Sequence, residues 1–281
     1  MKKTLTLLLA AALVLSLAAC GNGQDTAAGD DTAQEEKTEL VVFAAASLTE
    51  TLTQLGEDYM AEHPDVSLTF NFDSSGTLKT QIQEGADVDL FLSAGQKQMD
   101  QLDITADPAV NTEGLDFVLE GTRLDILENK VALAVPEGNP ANIQSYEDLA
   151  AGLKAGSVLL AMGNADVPVG QYTQKIFAYF GLDEQALAQA GCITYGSNVK
   201  EVTTQVAEGA VDCGIIYQTD AFSDHLTVVD TATAAMCGQV VYPAAVMKVS
   251  KHPQEAKDFL SYLTSEAGDK VFAEVGFTPI G

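Results

Sequence analysis

The chain has no tryptophan and few basic residues, with 14 Lys and Arg against 40 Asp and Glu in 281 residues. Its formal net charge of −26 disfavours nucleic acid and anionic membrane surfaces as partners, because both repel a strongly acidic protein. A neutral or positively charged docking surface is therefore the more suitable kind of partner.

Histidine is also scarce, which limits the catalytic chemistry available. Two of the three histidines, His63 and His252, precede a proline, and His225 lies in a polar stretch. None sits in a recognisable serine or cysteine triad, and the GxSxG, HExxH and Walker patterns are missing from the sequence. Since no Cys/His cluster occurs either, we expect no enzyme, no cofactor and no bound metal cation. A hydrolase that uses Ser47 as its nucleophile is the less favoured alternative.

The four cysteines contain no CxxC pair. Cys192, Cys213 and Cys237 are most simply isolated buried thiols, although export would permit a disulfide whose pairing the sequence does not reveal. Cys20 differs, because it ends the run Leu17-Ala18-Ala19-Cys20, which resembles the lipobox of bacterial lipoproteins. That resemblance implies cleavage before Cys20 and lipid attachment to its sulfur. An ordinary secretory signal is the alternative.

The ends of the chain suggest how it is organised. Residues 1–19 have two lysines followed by an apolar run too short to span a bilayer comfortably, which indicates an export signal. Residues 20–38 are acidic and lack large apolar side chains, so they are expected to form a flexible tether. The remainder is long enough for two lobes. We assign 39–128 with 243–281 to lobe 1 and 129–242 to lobe 2.

Apolar strand patterns alternate with amphipathic helix patterns along most of the folded part, which predicts an α/β fold with mixed, mainly parallel sheets flanked by helices. Two polar turns, after the strands that end near Ala46 and Phe72, each place a serine at the start of a helix. A helix N-terminus favours an anion, so a site made of neutral donors is expected there. The segment 100–129 is the least regular, with weak helical periodicity over 117–127.

Several short sequences occur together in one order and resemble the molybdate-binding components of bacterial ABC importers. They are Phe43-Ala44-Ala45-Ala46-Ser47-Leu48, Ser74-Ser75-Gly76-Thr77-Leu78, Asp89-Leu90-Phe91-Leu92-Ser93-Ala94, Val167-Pro168-Val169-Gly170, Asn198-Val199, Gly214-Ile215-Ile216-Tyr217 and Gly276-Phe277-Thr278. The resemblance runs from about residue 40 to 277. It implies a two-lobe type II periplasmic-binding-protein fold with the ligand cleft between the lobes.

The resemblance also implies which residues bind a tetrahedral oxyanion through uncharged donors. They are Ser47, Ser75, Val169, Val199 and Tyr217. The serines would donate hydroxyl and backbone N–H groups, the valines backbone N–H groups, and the tyrosine its phenolic O–H. Gly76 departs from the family's usual serine, and Val169 from its usual alanine.

Other roles for these residues are open at this stage. Ser47-Leu48-Thr49-Glu50 is also a capping-box pattern, Ser75 could be an ordinary turn residue, and Tyr217 a core aromatic. We expect Asp73 to point away from the ligand. Lys79 and Lys200 lie near the turns, but we expect them to be solvated and assign neither as a ligand.

The function expected from the resemblance is capture of molybdate, and of tungstate too, at the outer face of the cell membrane. The ligand would pass to the permease and ATPase of an ABC importer, from a lipid-anchored monomer. Another small oxyanion, such as sulfate or thiosulfate, is the alternative ligand.

Overall fold

A computed structural model describes residues 37–281 of the chain. The predicted export signal, Cys20 and residues 20–36 of the predicted tether lie outside the described residues. The described residues belong to one compact unit, in which strands and helices alternate.

Eleven strands are found in the described part of the chain: β1 (Thr38–Ala45), β2 (Val66–Asp73), β3 (Leu90–Leu92), β4 (Leu124–Asn129), β5 (Val131–Val135), β6 (Leu160–Gly163), β7 (Ile193–Gly196), β8 (Cys213–Tyr217), β9 (Thr227–Thr231), β10 (Val240–Val246) and β11 (Thr278–Pro279).

The same residues contain the α-helices α1 (Thr49–Glu62), α2 (Ser75–Gln83), α3 (Gln96–Asp100), α4 (Tyr146–Ala155), α5 (Pro168–Phe180), α6 (Glu184–Gln189), α7 (Val199–Ala207), α8 (Gln218–Ser223), α9 (Ala234–Cys237), α10 (Pro253–Leu263) and α11 (Glu266–Glu274). A short 3-10 helix, Ala46–Leu48, joins β1 to α1.

The first sheet has six strands in the order β11-β4-β10-β3-β1-β2. β1 pairs in parallel with β2 and β3, as expected for consecutive βαβ units, whereas β10 runs antiparallel to β3 and β4. β1 is an apolar run, and from Val42 to Ala45 every residue is buried, because both faces of the strand are covered.

The second sheet has five strands in the order β7-β6-β8-β5-β9. β6 pairs in parallel with β7 and β8, and β5 runs antiparallel to β8 and β9. The prediction of two mixed sheets flanked by helices is confirmed, but the sheets are not mainly parallel, since four strand pairs are parallel and five are antiparallel. The antiparallel pairs come from strands that lie where the chain passes from one sheet to the other.

The chain passes between the sheets twice. Lys130 alone separates β4 in the first sheet from β5 in the second, and the segment between β9 and β10 returns the chain to the first sheet. These crossings lie near the predicted lobe limits, 129 and 242; the exact division into lobes stays a prediction.

The segment 100–129 differs from its sequence pattern. The helical periodicity over 117–127 is misleading, because Leu124–Asn129 forms strand β4 between β10 and β11. Leu102 and Val118 help form a small separate apolar cluster beneath this segment. None of the helices within residues 37–281 is long and apolar enough to cross a bilayer.

Candidate functional site

A small cavity lies between elements of the two sheets. We call it the serine cavity. Its lining residues are Ala45, Ala46, Ser47, Asp73, Ser74, Ser75, Ala94, Val167, Pro168, Val199 and Tyr217. Four of the five predicted ligand residues are therefore brought together, and Val169 directly follows lining residue Pro168. The lining contains no Lys, Arg or His.

Ser47 lies in the 3-10 turn that follows β1 and is 5% exposed. Its hydroxyl caps no helix, because the turn delays the start of α1 to Thr49, and the N-cap residue there is Leu48. Instead, Ser47 Oγ lies 2.9 Å from the hydroxyl oxygen of Tyr242. The capping-box interpretation of Ser47 is wrong.

Two neighbouring serines have different roles at the start of α2. Ser74 is the N-cap residue, and its Oγ accepts a hydrogen bond from Thr77 N at 3.1 Å. Ser75 begins the helix and is fully buried, and its Oγ accepts from Ala94 N at 2.9 Å. The turn-capping role therefore belongs to Ser74, and the hydrogen of the Ser75 hydroxyl remains available to the cavity.

Gly76 follows Ser75 at a close contact between the two sheets' elements. A Cβ at this position would collide with the backbone carbonyl of Asp166, in the loop before α5. The glycine in place of a serine thus permits the start of α2 to approach this loop, a role that the sequence did not indicate.

Val169 is fully buried in the first turn of α5, whose N-cap is Val167 and whose first residue is Pro168. Proline suits this position because the first N–H groups of a helix have no acceptor within it. The backbone N–H of Val169 is one such group. Gly170 is required two residues into the helix, because a Cβ there would collide with the carbonyl oxygens of residues 163 and 164.

Val199 begins α7, and Asn198 caps this helix by accepting from Glu201 N at 3.0 Å. The amide of Asn198 also reaches the other sheet's elements, with Nδ2 3.4 Å from Asp73 Oδ1. That same oxygen accepts from Ser74 N at 2.7 Å. The expectation that Asp73 points away is wrong: it lines the cavity and links the end of β2 to the start of α7.

Tyr217 ends β8 and is 1% exposed. Its hydroxyl donates to the carbonyl oxygen of Ala94, 3.3 Å away, on the first sheet's side of the cavity. Burial raises the pKa of Tyr217 well above its ordinary value, so the hydroxyl keeps its proton at neutral pH.

Lys200, next to Val199, does not contact the serine cavity but is not simply solvated either. Its Nζ lies 2.8 Å from Glu50 Oε1, 3.4 Å from Asp220 Oδ1 and 3.8 Å from Asp224 Oδ2. Burial lowers the pKa of Lys200, but the carboxylates of Asp220, Glu50 and Asp224 more than offset this and leave it raised. The ammonium is therefore charged and engaged by carboxylates.

Asp220 is fully buried in α8, beside Lys200. Burial raises the pKa of this carboxyl to about 7, against the opposing effect of Lys200 and with the help of the nearby charges of Glu50 and Asp224. Neither of its oxygens has a well-formed hydrogen bond within the described residues. No sequence pattern marked this group.

The thiols and histidines lie elsewhere. Cys192, Cys213 and Cys237 are buried and free, as expected. His63 stacks on Tyr59 with ring centroids 4.2 Å apart, and no histidine lines the serine cavity. Within residues 37–281 no group of three or more His, Cys, Asp or Glu side chains is placed to hold a metal ion.

Comparison with known proteins agrees with this geometry. Residues 40–278 match the family model described as bacterial extracellular solute-binding protein. The chain belongs to this family. Over 271 residues, spanning 96% of this chain and 95% of the relative, it is 32% identical to the molybdate-binding protein ModA of Mycobacterium tuberculosis strain H37Rv.

Solved structures support the fold. The periplasmic molybdate-binding protein of Azotobacter vinelandii superposes with a TM-score of 0.72 at 22% identity, covering 86% of this chain and all of that one. The sulfate-binding protein SubI of M. tuberculosis superposes with a TM-score of 0.68 at 17% identity, covering 86% of this chain and 87% of that one. The predicted periplasmic-binding-protein fold is confirmed, and the chain is a solute-binding protein of the ABC-transporter type.

Proposed function

We propose that this protein captures molybdate, and tungstate as well, in the serine cavity and delivers it to an ABC importer. The observation that carries the proposal is the meeting of Ser47, Ser75, Val199 and Tyr217 around a cavity without a cationic side chain. Together with the first-turn N–H of Val169 next to it, these residues form a set of neutral donors for a dianion, with the Tyr217 hydroxyl turning its hydrogen from the Ala94 carbonyl to the ligand. The curated relative described above, named for molybdate binding, covers almost the whole chain.

The energy of such a site comes from hydrogen bonds to charge rather than from ion pairing. A hydrogen bond to a charged group contributes about 1.5–3 kcal/mol, so several convergent donors give sub-micromolar affinity after the entropy of association is subtracted. The two predicted lobes, 39–128 with 243–281 and 129–242, close over the ligand and exclude water, which strengthens these bonds.

Size sets the choice among oxyanions. Sulfate has shorter bonds than molybdate and leaves some donors unmatched, whereas tungstate is nearly the same size as molybdate. Sulfate or thiosulfate is the alternative ligand. The protein works without a cofactor, as a monomer held outside the cell membrane by a lipid on Cys20, and its partners are a permease and its ATPase.

Calorimetric competition among molybdate, tungstate, sulfate and phosphate tests the choice of ligand. We expect molybdate and tungstate to bind tightest, and the absence of heat with molybdate would reject the proposal. Tighter binding of sulfate would establish the alternative.

Substitution of both Ser47 and Ser75 by alanine separates binding from folding. We expect at least a tenfold loss of molybdate affinity with little change in the melting temperature of the ligand-free protein. Ser74→Ala is the control, because loss of this cap lowers stability by about 1 kcal/mol. A large loss of stability in the double variant would contradict the ligand role.

The enzyme alternative has no support in the geometry. A serine nucleophile needs a base within hydrogen-bond reach, but Ser47 Oγ contacts Tyr242 rather than a histidine. We therefore propose a binding protein and not a hydrolase, and activity towards ester or phosphoester substrates that disappears in Ser47→Ala would overturn this.

A further inference from the structure

A chain of buried hydrogen bonds leads from the serine cavity to the strands at the crossing between the sheets. Ser47 Oγ lies 2.9 Å from Tyr242 Oη, and Tyr242 Oη lies 3.1 Å from Asn129 Nδ2. All three side chains are less than a tenth exposed. Asn129 ends β4 and Tyr242 lies on the adjacent strand β10.

The direction of this chain follows from the orientation of the Asn129 amide. Its Oδ1 accepts from the backbone N–H of Lys130 at 2.8 Å, so its Nδ2 must point the other way. There it meets Thr219 Oγ1 at 2.9 Å and Tyr242 Oη at 3.1 Å, one partner for each hydrogen. An amide nitrogen only donates, so Tyr242 Oη is the acceptor of this bond.

The hydroxyl of Tyr242 also carries a hydrogen, which needs a hydrogen-bond acceptor. Burial raises the pKa of Tyr242 well above its ordinary value, so the hydroxyl is protonated at neutral pH. Ser47 Oγ is the acceptor at hydrogen-bond distance. Tyr242 therefore donates to Ser47, and the hydrogen of the Ser47 hydroxyl is directed to another partner, in the cavity.

Ser75 is also held with its hydroxyl oxygen as an acceptor, through a different hydrogen bond. The backbone N–H of Ala94 donates to Ser75 Oγ, and an N–H group cannot accept in return. Both hydroxyl oxygens thus already serve as acceptors for the protein. What each offers to a ligand in the cavity is a hydrogen.

We propose that Tyr242 and Asn129 are specificity-determining positioning residues, which hold Ser47 as a donor and thereby exclude oxyanions that carry a proton. The inference rests on the proposed function. A protonated oxyanion brings its own donor to these two serine hydroxyls, which already present hydrogens. The one carboxylate in the lining, Asp73, accepts at Oδ1 from Ser74 N and Asn198 Nδ2. A buried donor without an acceptor costs about tenfold or more in affinity, whereas a fully ionised oxyanion has only acceptors and matches both serine donors.

Selenate and hydrogenarsenate test this directly, because near pH 8 they are tetrahedral dianions of similar size that differ by one proton. Their affinities are measured by competition against molybdate, using the full chain as wild type, Tyr242→Phe and Tyr146→Phe. Tyr146 is the matched control, since its hydroxyl is also buried but has no partner within the described residues.

We expect the wild type and Tyr146→Phe to prefer selenate over hydrogenarsenate by the same large factor. In Tyr242→Phe the Ser47 oxygen is released and can accept the ligand's proton, so the preference should fall at least fivefold. An unchanged preference in Tyr242→Phe would overturn the inference while leaving the proposed function intact, whereas a wild type that does not bind molybdate would overturn both.

Asn129→Asp provides a second test that does not depend on the folding of Tyr242→Phe. In this variant a carboxylate oxygen accepts where the amide nitrogen donated. The Tyr242 hydroxyl would then donate to the carboxylate at position 129 and accept from the Ser47 hydroxyl, so that the direction of both hydrogen bonds is reversed. The added negative charge weakens the binding of selenate and of hydrogenarsenate alike. We therefore expect the preference for selenate over hydrogenarsenate to fall because of the reversed hydrogen bonds. A merely structural role for Asn129 would leave the ratio unchanged, and that result would also overturn the inference.

Discussion

Lys200 Nζ lies 2.8 Å from Glu50 Oε1, and this ion pair joins helix α7, which starts at Val199, to helix α1, which follows Ser47. The pair connects elements of the two sheets at the edge of the serine cavity. Lys200 also lies close to Asp220 and Asp224, which belong to the same side of the cavity as α7. The same ammonium therefore contacts carboxylates on both sides of the cavity.

We predict that Glu50→Gln speeds molybdate release by about two- to fivefold, because a partly exposed ion pair contributes up to about 1 kcal/mol. Stopped-flow measurement of the dissociation rate checks this. Glu57→Gln is the control, since it removes the same charge from an exposed position of α1. Equal effects of the two substitutions would show that charge alone, and not the contact with Lys200, controls release.

The buried carboxyl of Asp220 gives a pH dependence of known sign. Burial raises its pKa to about 7 in the folded protein, whereas in the unfolded chain it is about 3.9. Between these values the folded state binds the proton more tightly, so this group contributes increasing stability as the pH falls from about 7 to about 4.

We therefore predict that Asp220→Asn reduces the gain in stability that the wild type shows between pH 8 and pH 5, measured by urea unfolding. Comparison with Asp224→Asn isolates the effect, because the Asp224 side chain is 44% exposed and its charge makes a smaller contribution to the raised pKa of Asp220 than burial does, so its removal should change the slope far less. A wild-type slope retained in Asp220→Asn would contradict the assignment.

Gly76 should matter for binding more than for folding. In Gly76→Ala the new Cβ meets the backbone of Asp166 across the cavity, so closure is hindered, and we expect molybdate affinity to fall at least tenfold. Gly56→Ala is the contrasting variant, because its Cβ would lie 2.7 Å from the ring of Phe70. For Gly56→Ala we expect a lower melting temperature, measured by differential scanning calorimetry, with molybdate affinity retained, measured by titration calorimetry. The reverse pattern would refute the closure argument.

The three buried thiols should be unreactive in the folded protein. Burial raises the pKa of Cys213 and Cys237, which lowers the fraction of reactive thiolate. We predict that a thiol reagent labels Cys192, Cys213 and Cys237 slowly in the folded protein and all three rapidly after unfolding. A reducing agent should not change the melting temperature. Fast labelling of one site would show that its surroundings open in solution.

The sequence was most informative where structure follows from local pattern. The two serine turns could be predicted as an anion site because each follows an apolar strand and starts a helix, whereas Tyr217, which ends β8, was implied by the family resemblance. Ser145, three residues before Asp148, likewise caps α4 by accepting from Asp148 N at 3.1 Å. Such features depend on residues a few positions apart. The resemblance of the short motifs then selected the ligand roles.

Other features depend on distant contacts and left no local signal. Strand β4 was mistaken for helix because its pairing partner, β10, lies more than a hundred residues later. Glu50 completes a capping box in the sequence, yet it pairs with Lys200. Tyr242 stands 195 residues from Ser47, and only the folded chain brings the two hydroxyls together.

Every residue type except proline supplies the same backbone N–H group at positions 169 and 199, in the first turns of α5 and α7. A substitution there changes the neighbours of the peptide group but not the group itself. Selection at these positions therefore acts on the path of the main chain, and the surrounding residues can diverge widely while the pattern of donors persists.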